Sequence, residues 1–426
     1  MTHFGIICPP GVGHLNPISA VGHELVQRGH SVTLFGVPDV RSRAEAAGLN
    51  FAVIGAEKFP QGSLAKSHQK IGESDGIVAL IYLIDQFRQG TELILKEVPP
   101  GCKKLGIDVL LIDQTNLEGA TIAEYLNLPF ITICNALMLN PEPTIPPALT
   151  PWNYDLSWWA QWRNQIGTEL LRLAGTPVRL LVEDYRQKWG LPRLTSDEPL
   201  NLWSKLAIIS QQTPSFEFPR QKLPAYFHFT GPLVNSQARK PIEFPWTRLT
   251  DKPLIYASLG TLQNRLFWVF LLIAYACVEL NVQLVISLGN ASSPKEIGYL
   301  PGNPIIVKVA PQLELLEKAS LCITHAGMNT VLEALSNGVP MIAIPIANDQ
   351  QGVAARIAWT KTGVVIPLED CSISQLSTAI KLVLNNDDYR QNVLRLKSEI
   401  EKTGGISKAA EIIEKATATR SPVLAS

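Results

Sequence analysis

Short apolar runs alternate with helical patterns along most of the chain, and this alternation constrains the fold more than any other feature. It is typical of parallel sheets whose strands are connected by helices. The stretch 17–30 illustrates one connection, because Pro17 suits a first helical turn and Gly29 suits a helix end. The first half contains predicted strands near 3–8, 31–36, 51–54, 108–112, 130–134 and 206–209.

The alternation restarts after a Pro-rich segment at about 231–252, which we interpret as a linker. A chain of 426 residues also suits two domains better than one. We expect two α/β domains, 1–235 and 236–405, each a doubly wound parallel sheet, and a C-terminal helix in 406–426 that is free to pack back on the first domain. The second half contains predicted strands near 253–258, 283–288, 305–309, 320–324, 340–344 and 363–366.

Charge and cysteine content narrow the function classes. The formal net charge is zero and the pI is near 7.0, so no overall basic field attracts nucleic acid or anionic lipid. The six cysteines contain no C-x-x-C pair, and we interpret them as reduced core thiols. Because no signal peptide precedes the first predicted strand, we expect a cytoplasmic protein.

One apolar run, 266–278, raises the question of a membrane contact. It is shorter than the ~20 residues that span a bilayer, and the charged residues Arg265 and Glu279 bound it. We therefore expect a buried helix of the second domain. A dimer contact or a membrane-surface contact is the alternative.

A predicted strand-to-helix turn in the second half carries residue types that suit an anion. Ligands of doubly wound folds bind where strands end and helices begin. Gly327 permits a close approach, the helix N-terminus supplies free N–H groups, and His325 adds a donor that can carry charge. Asn329 and Thr330 can donate to phosphate oxygens, or they simply cap the helix.

Three neighbouring turns add further polar groups. Gly260 and Thr261 follow the predicted strand that begins the second half, and Gln312 begins a helix after another strand. Asp349 and Gln350 place a carboxylate beside an amide, which is the pair that can both accept from and donate to the hydroxyl groups of a sugar.

The ordered motifs V-A-P-Q, T-H-A-G-M-N-T-x-x-E-A-L and N-D-Q within 309–352 resemble the nucleotide-sugar signature of family-1 glycosyltransferases, the UDP-glycosyltransferases. The resemblance implies a GT-B fold, in which two Rossmann-like domains face each other. The acceptor then binds in the first domain and the nucleotide sugar binds in the second. Within the family, the run 323–359 is most similar to bacterial zeaxanthin (carotenoid) glucosyltransferases.

The resemblance also implies roles for single residues in the second half. Asp349 and Gln350 would bind the sugar, Gln312 the base or ribose, and Glu333 the ribose hydroxyls, although Glu333 alone fits a helix surface equally well. The residues that would hold the diphosphate are His325, Gly327, Asn329 and Thr330, together with Gly260 and Thr261.

Two positions depart from the family pattern. Many members have tryptophan where this chain has Val309, which leaves weaker stacking on the nucleotide base, and where it has Met328, which leaves the sugar contact open. The resemblance therefore implies a UDP-sugar, with dTDP as the alternative nucleotide and glucose as the expected hexose.

The candidate catalytic residues lie in the first half of the chain. Gly11 and Gly13 suggest the G-x-G of a dinucleotide oxidoreductase, but the third glycine is absent and the signal is weak. His14 follows the first strand, and a pKa near ~6.5 suits a general base. Asp113 closes another strand and could fix the imidazole tautomer. Each residue alone also has a purely structural explanation.

The resemblance implies that His14 is the base and Asp113 its partner. It further implies a single displacement in which His14 deprotonates the acceptor hydroxyl and the anomeric configuration inverts. An α-linked donor then gives a β-glycoside. No cofactor and no metal ion are expected.

The acceptor site is predicted to be apolar and roomy. A long Pro-rich loop, 135–151, leads to four tryptophans that form core, line a pocket or touch a membrane interface. We assign Trp152, Trp158 and Trp159 to the acceptor pocket. A hydroxylated carotenoid or similar lipophilic alcohol is the first choice of acceptor, and flavonoids, other phenolics and macrolides are alternatives.

Two rival functions share the expected architecture. A nucleotide-sugar epimerase would convert the donor without an acceptor. A non-catalytic partner protein would be expected to lack the pair of His14 and Asp113, which is present here.

Overall fold

The structure, a computed structural model, describes residues 1–72, 76–194, 202–235, 242–260, 266–289 and 294–425. In this part of the chain the strands form two wholly parallel sheets, one in each half. The doubly wound α/β fold is thereby confirmed. The division into domains at 235 and 405 stays a prediction, and part of the proposed linker, 236–241, lies outside the described residues.

The first sheet has the strand order β3-β2-β1-β4-β5-β6-β7. Its strands are β1 (His3–Ile7), β2 (Ser31–Gly36), β3 (Asn50–Val53), β4 (Val109–Asp113), β5 (Phe130–Cys134), β6 (Ile208–Ser210) and β7 (Phe227–Phe229). The first six were predicted. The edge strand β7 was missed because three residues with His228 in the middle show no apolar run.

The second sheet has the strand order β10-β9-β8-β11-β12-β13, and all six strands were predicted. They are β8 (Leu254–Ser258), β9 (Gln283–Ser287), β10 (Ile305–Val307), β11 (Ala319–Thr324), β12 (Met341–Ala343) and β13 (Gly363–Val365). Successive residues of β8, such as Ile255 and Tyr256, belong to different apolar clusters. Both faces of this sheet are therefore covered, as expected for parallel strands.

Helices connect the strands in both halves. In the first half they are α1 (Val12–Gln27), α2 (Arg41–Ala46), α3 (Ser63–Gly72), α4 (Gly76–Leu105), α5 (Glu118–Leu126), α6 (Trp158–Ala174) and α7 (Thr176–Lys188). In the second half they are α8 (Phe267–Val278), α9 (Pro294–Ile297), α10 (Gln312–Leu316), α11 (Met328–Asn337), α12 (Gln350–Trp359), α13 (Ile373–Asn385), α14 (Asp387–Ile400) and α15 (Gly405–Thr419). Short 3₁₀ turns occur at Pro38–Val40, Pro214–Phe216, Trp246–Arg248 and Leu368–Asp370.

The apolar run 266–278 forms α8, and only part of its surface is buried. Phe270 and Ile273 belong to the core of the second sheet, whereas Trp268 and Tyr275 are exposed. The expectation of a buried helix therefore holds for one face of α8 only, because a helix packed on a sheet covers it with a single face. Within the described residues, no helix has both the length and the apolar character needed to cross a bilayer.

The C-terminal helix α15 packs against the first sheet rather than the second. Its apolar side, including Ile412 and Ile413, joins the core cluster of the first half. Glu414 accepts hydrogen bonds from Arg28 and His30 near the end of α1. The chain therefore returns to the first half after completing the second.

A buried ion pair joins the two halves. Arg356 on α12 donates to the carboxylate of Glu217 in the first half, with 2.9 Å between Nε and Oε1. Both side chains are almost fully buried, and Nε of Arg220 lies 3.6 Å from the same Oε1. Separating the two halves at this contact would leave an uncompensated buried charge, which is costly.

Candidate active site

The carboxyl edge of the first sheet carries the predicted base at the point where the strand order reverses. His14 lies in the first turn of α1, directly after β1, and Asp113 is the last residue of β4, which pairs with β1. Nδ1 of His14 and Oδ2 of Asp113 are 2.8 Å apart. Ligands of doubly wound folds bind in this crevice. The structure brings the two residues together, and their catalytic roles stay predictions.

Asp113 accepts four hydrogen bonds, although it is almost fully buried. Besides His14, the donors are Nδ2 of Asn135 at 2.7 Å and the backbone N and Oγ1 of Thr115 at 2.9 and 2.6 Å. Burial raises the pKa of Asp113, but His14 and Thr115 outweigh burial and the net pKa is lowered. The carboxylate is therefore ionised and rigidly oriented.

Sequence reasoning missed both Thr115 and Asn135. A signal was present in each case, because Asn135 directly follows β5 at the same sheet edge and Thr115 stands two residues after an aspartate, the spacing of an Asx turn. Neither signal is specific enough to identify a partner without the strand order.

The environment of His14 suits a base. Burial lowers its pKa, but the charge and hydrogen bond of Asp113, with a smaller effect of the Asp349 charge, raise the net pKa above the usual 6.5. Because Nδ1 faces the carboxylate, Nδ1 carries the proton and Nε2 keeps its lone pair. The side chain is 26% exposed, so a substrate hydroxyl can reach it.

The carboxyl edge of the second sheet is built mainly from backbone. Helix α11 begins at Met328, with Gly327 as its extended N-cap and no side-chain cap. Asn329 and Thr330 lie inside the first turn, so the alternative in which they cap the helix is wrong. The N–H groups of this first turn have no partner within the helix and remain available to an anion.

His325 lies between two glycines at this edge. A Cβ atom at Gly260 or at Gly327 would come within 2.6 Å of Nε2 of His325, and Gly260 also has a positive φ of 78°. Burial lowers the pKa of His325 to about 4. The imidazole is therefore a neutral donor near pH 7, and the charge that the sequence allowed it to carry is absent at that pH.

Gln312 and Glu333 form one hydrogen-bonded group. Nε2 of Gln312 donates to Oε2 of Glu333 at 2.6 Å and, weakly, to Thr330 at 3.4 Å, while its Oε1 accepts from Tyr256 at 2.9 Å. Glu333 is only 2% exposed, so the alternative of a helix-surface carboxylate is wrong. Tyr256, which orients the amide, was missed by sequence reasoning.

The predicted sugar-binding residues lie between the two edges. Oδ2 of Asp349 accepts from the backbone N of Leu137 in the loop 135–151, and Oε1 of Gln350 accepts from two backbone amides of its own turn. Val309 is half-buried after β10, and Thr261 lies outside the described residues. The proposed binding roles of Asp349, Gln350, Val309 and Thr261 all stay predictions.

A hydrogen-bond chain joins the two edges across the cleft. Nδ2 of Asn329 donates to the backbone O of Gly13, the residue before His14, at 3.0 Å. Oδ1 of Asn329 accepts from the buried Gln211, which follows β6, at 3.0 Å. The predicted base and the N-terminus of α11 therefore face each other, and Gln211 was not found from the sequence.

The predicted acceptor tryptophans separate into two groups. Trp152 is half-buried against Gly167, beneath the guanidinium of Arg163. Trp158 and Trp159 are exposed on the outside of α6, so they line no enclosed pocket in the described part of the chain and form no core. Most side chains of the apolar run 77–84 are outside the described residues, and the acceptor site stays a prediction.

Comparison with known proteins agrees with this geometry. A sequence profile of the family described as UDP-glucoronosyl and UDP-glucosyl transferase matches residues 194–405. A zeaxanthin glucosyltransferase of Pantoea ananas is 33% identical, and the match covers 100% of this chain and 98% of that relative. A zeaxanthin glucosyltransferase of Pseudescherichia vulneris is 31% identical, with 98% of each covered.

A solved structure supports the fold over the same length. The glycotransferase of kitacinnamycin superposes with a TM-score of 0.78 at 21% identity, covering 97% of this chain and 98% of that one. The predicted GT-B architecture is confirmed. The chain belongs to the UDP-glucoronosyl and UDP-glucosyl transferase family, and it is a UDP-glycosyltransferase.

Proposed function

We propose that the enzyme transfers glucose from UDP-glucose to a hydroxyl group of a carotenoid, with inversion at the anomeric carbon. The observation that carries the proposal is the hydrogen-bonded pair of His14 and Asp113 opposite the N-terminus of α11, to which the chain through Asn329 connects it. The carotenoid acceptor is supported by the two zeaxanthin glucosyltransferases that match nearly the whole chain.

The first edge supplies the proton chemistry of this proposal. Nε2 of His14 takes the proton of the acceptor hydroxyl, and the oxygen attacks the anomeric carbon from the face opposite the diphosphate. Asp113 keeps the imidazole in the required tautomer and stabilises the imidazolium that forms. General-base help of this kind is worth about 10²–10⁴ in rate.

The second edge supplies the leaving-group chemistry. As the bond between the anomeric carbon and the diphosphate oxygen breaks, its electron pair stays on that oxygen. The free N–H groups at the start of α11 and the neutral His325 donor meet the developing charge. We propose that no metal ion is needed, because these donors are fixed before the reaction. A chelator is expected to leave turnover unchanged.

The proposal includes a cytoplasmic location with peripheral membrane contact. A hydroxylated carotenoid is a long apolar molecule with few polar groups, so it is held in a bilayer rather than in water. The enzyme must then reach the hydroxyl at the membrane surface.

The test is incubation of the purified enzyme with UDP-glucose and zeaxanthin in detergent micelles, followed by mass spectrometry and NMR of the product. A gain of hexose with a β-linkage is expected. An α-linked product would overturn the inverting mechanism. Transfer only to a flavonoid, another phenol or a macrolide in a parallel panel would overturn the carotenoid acceptor, and isomerised UDP-sugar without acceptor would indicate an epimerase.

A further inference from the structure

Helix α6 carries an apolar stripe that no part of the described chain covers. The side chains are between 43% and 80% exposed. The spacing of three or four residues places them on one side of the helix. We call this surface the tryptophan stripe, and its members are Trp158, Trp159, Trp162, Ile166, Leu170 and Leu173.

The opposite side of α6 packs against the rest of the protein, and it carries small and polar residues instead of large apolar ones. Its buried residues are Ala160, Asn164 and Gly167. Nδ2 of Asn164 donates to the backbone O of Pro143 at 3.0 Å, and Gly167 packs against the ring of Trp152. An amphipathic helix normally buries its large apolar side chains. Here they are presented outwards while small residues make the contact, which marks an interaction surface.

The chemistry of the stripe fits the interface of a lipid bilayer. Tryptophan prefers the headgroup level, where its ring is apolar and its N–H stays near water. The guanidinium of Arg163 lies 5.4 Å from the ring centre of Trp159 at the border of the stripe. The one acid between the apolar residues, Glu169, is paired with Arg172 at 2.8 Å. The stripe therefore offers apolar rings, with the guanidinium of Arg163 at their border, to phosphate headgroups.

The helix that carries the stripe rests on the loop that borders the cleft. Leu149 in the loop 135–151 and Leu156 just before α6 also have exposed side chains. The same loop packs against Gly352 through Ala148 and donates from the backbone N of Leu137 to Asp349. A lipid-borne alcohol that leaves a bilayer beneath α6 thus meets the loop that borders the cleft.

We propose that the tryptophan stripe docks the enzyme on a lipid bilayer and sets the side from which the acceptor enters. Docking itself stands on the exposed surface, and the direction of acceptor entry rests on the proposed function. A second copy of the chain is the competing occupant of the stripe.

The test uses vesicles of phosphatidylcholine, with and without phosphatidylglycerol, in co-sedimentation and in quenching of tryptophan fluorescence by brominated lipid. The intact enzyme is expected to sediment with both vesicles, more strongly with the anionic ones. The double variant Trp162→Gln/Leu170→Gln is expected to bind vesicles at least about tenfold more weakly than the intact enzyme. Both residues are more than half exposed, so the fold is expected to be retained.

The matched control is Trp268→Gln/Tyr275→Gln on α8, which removes two exposed aromatic rings from the second half. It is expected to bind vesicles like the intact enzyme. The proposal would be overturned if the intact enzyme did not bind vesicles, or if the control variant bound them as weakly as the stripe variant. If light scattering shows that the intact enzyme is a dimer, that the stripe variant is a monomer and that neither binds vesicles, the stripe is the contact with a second copy of the chain.

Activity assays separate docking from function. The stripe variant is expected to keep its turnover on zeaxanthin in detergent micelles and to lose turnover on zeaxanthin in vesicles. An equal loss in both assays would overturn the entry route. Vesicle binding by an enzyme that transfers nothing to zeaxanthin would leave docking intact and remove the proposed acceptor.

Discussion

The two carboxyl edges that face each other in this enzyme are built from different materials. The edge of the first sheet is a network of side chains, in which His14 and Asp113 are oriented by Thr115 and Asn135. At the edge of the second sheet, the part predicted to hold the diphosphate consists mainly of glycines, free helix amides and a neutral His325. Proton transfer needs a group whose pKa can be tuned, whereas an anion needs donors that do not move.

The comparison predicts that the largest single effect comes from the side-chain edge. His14→Ala removes the base, and turnover is expected to fall about 10²–10⁴-fold. Binding of UDP, measured by calorimetry, is expected to stay unchanged because the donor edge is untouched. Near-normal turnover would remove His14 from the mechanism, and lost UDP binding would show that the two edges are not separable.

The second prediction concerns the partner of the base. Asp113→Asn removes the charge that raises the pKa of His14. A base works when deprotonated, so the rate rises with pH through this pKa, and in the variant this rise is expected at lower pH. The plateau is expected to fall, though less than in His14→Ala, because a neutral amide fixes the tautomer poorly. Steady-state rates between pH 5 and about 9 test both, and a rise at unchanged pH would contradict the assignment.

The third prediction addresses the backbone edge. Gly260→Ala places a Cβ atom within 2.6 Å of the His325 ring at a φ of 78°. Displacement of the His325 ring is expected to lower donor affinity about tenfold, which is about 1.4 kcal/mol, whereas the positive φ costs a residue other than glycine about 1–2 kcal/mol of folding stability. The pH of the rate rise is expected to stay in place, since His14 is untouched.

Gly190→Ala is the matched control for that variant. Gly190 has a similar φ of 70°, but no atom lies within 4 Å of the added Cβ. Thermal unfolding of both variants measures the cost of the positive φ, which they share. Calorimetry with UDP measures the effect of the contact between the added Cβ atom and His325, which only Gly260→Ala has. If the two variants lose the same donor affinity, the packing of His325 against glycine is not what binds the diphosphate.

The two edges also differ in how far the sequence predicted them. The predicted donor-binding residues of the second half lie in short local motifs, and in the structure Gln312 donates to both Thr330 and Glu333. The pair of His14 and Asp113 spans 99 positions. It was predicted because each residue follows or ends a strand of the first half and because the family resemblance implies the roles of base and partner at these positions. Local sequence patterns therefore predict which polar residues lie at the ends of strands.

What the sequence missed depends on strand order and on which face of a helix is covered. Asn135 and Gln211 contact the site only because β5 and β6 follow β4 in the sheet. The tryptophans of α6 have the spacing of a core face, and nothing in that spacing reveals that the opposite face makes the contact. Glu333 was ambiguous for the same reason, since periodicity does not say what packs on a helix.

Thr115, one of the missed residues, is expected to give the smallest effect. Thr115→Val removes the hydroxyl that donates to Asp113 at 2.6 Å but leaves the backbone N–H at 2.9 Å. Because the carboxylate keeps three donors, turnover is expected to fall less than about tenfold, with only a small shift of the pH of the rate rise. Thr115→Ser keeps the hydroxyl and is expected to recover the rate. A valine variant as slow as Asp113→Asn, or a serine variant that recovers nothing, would mean that the orientation of the carboxylate rests on Thr115 rather than on the network as a whole.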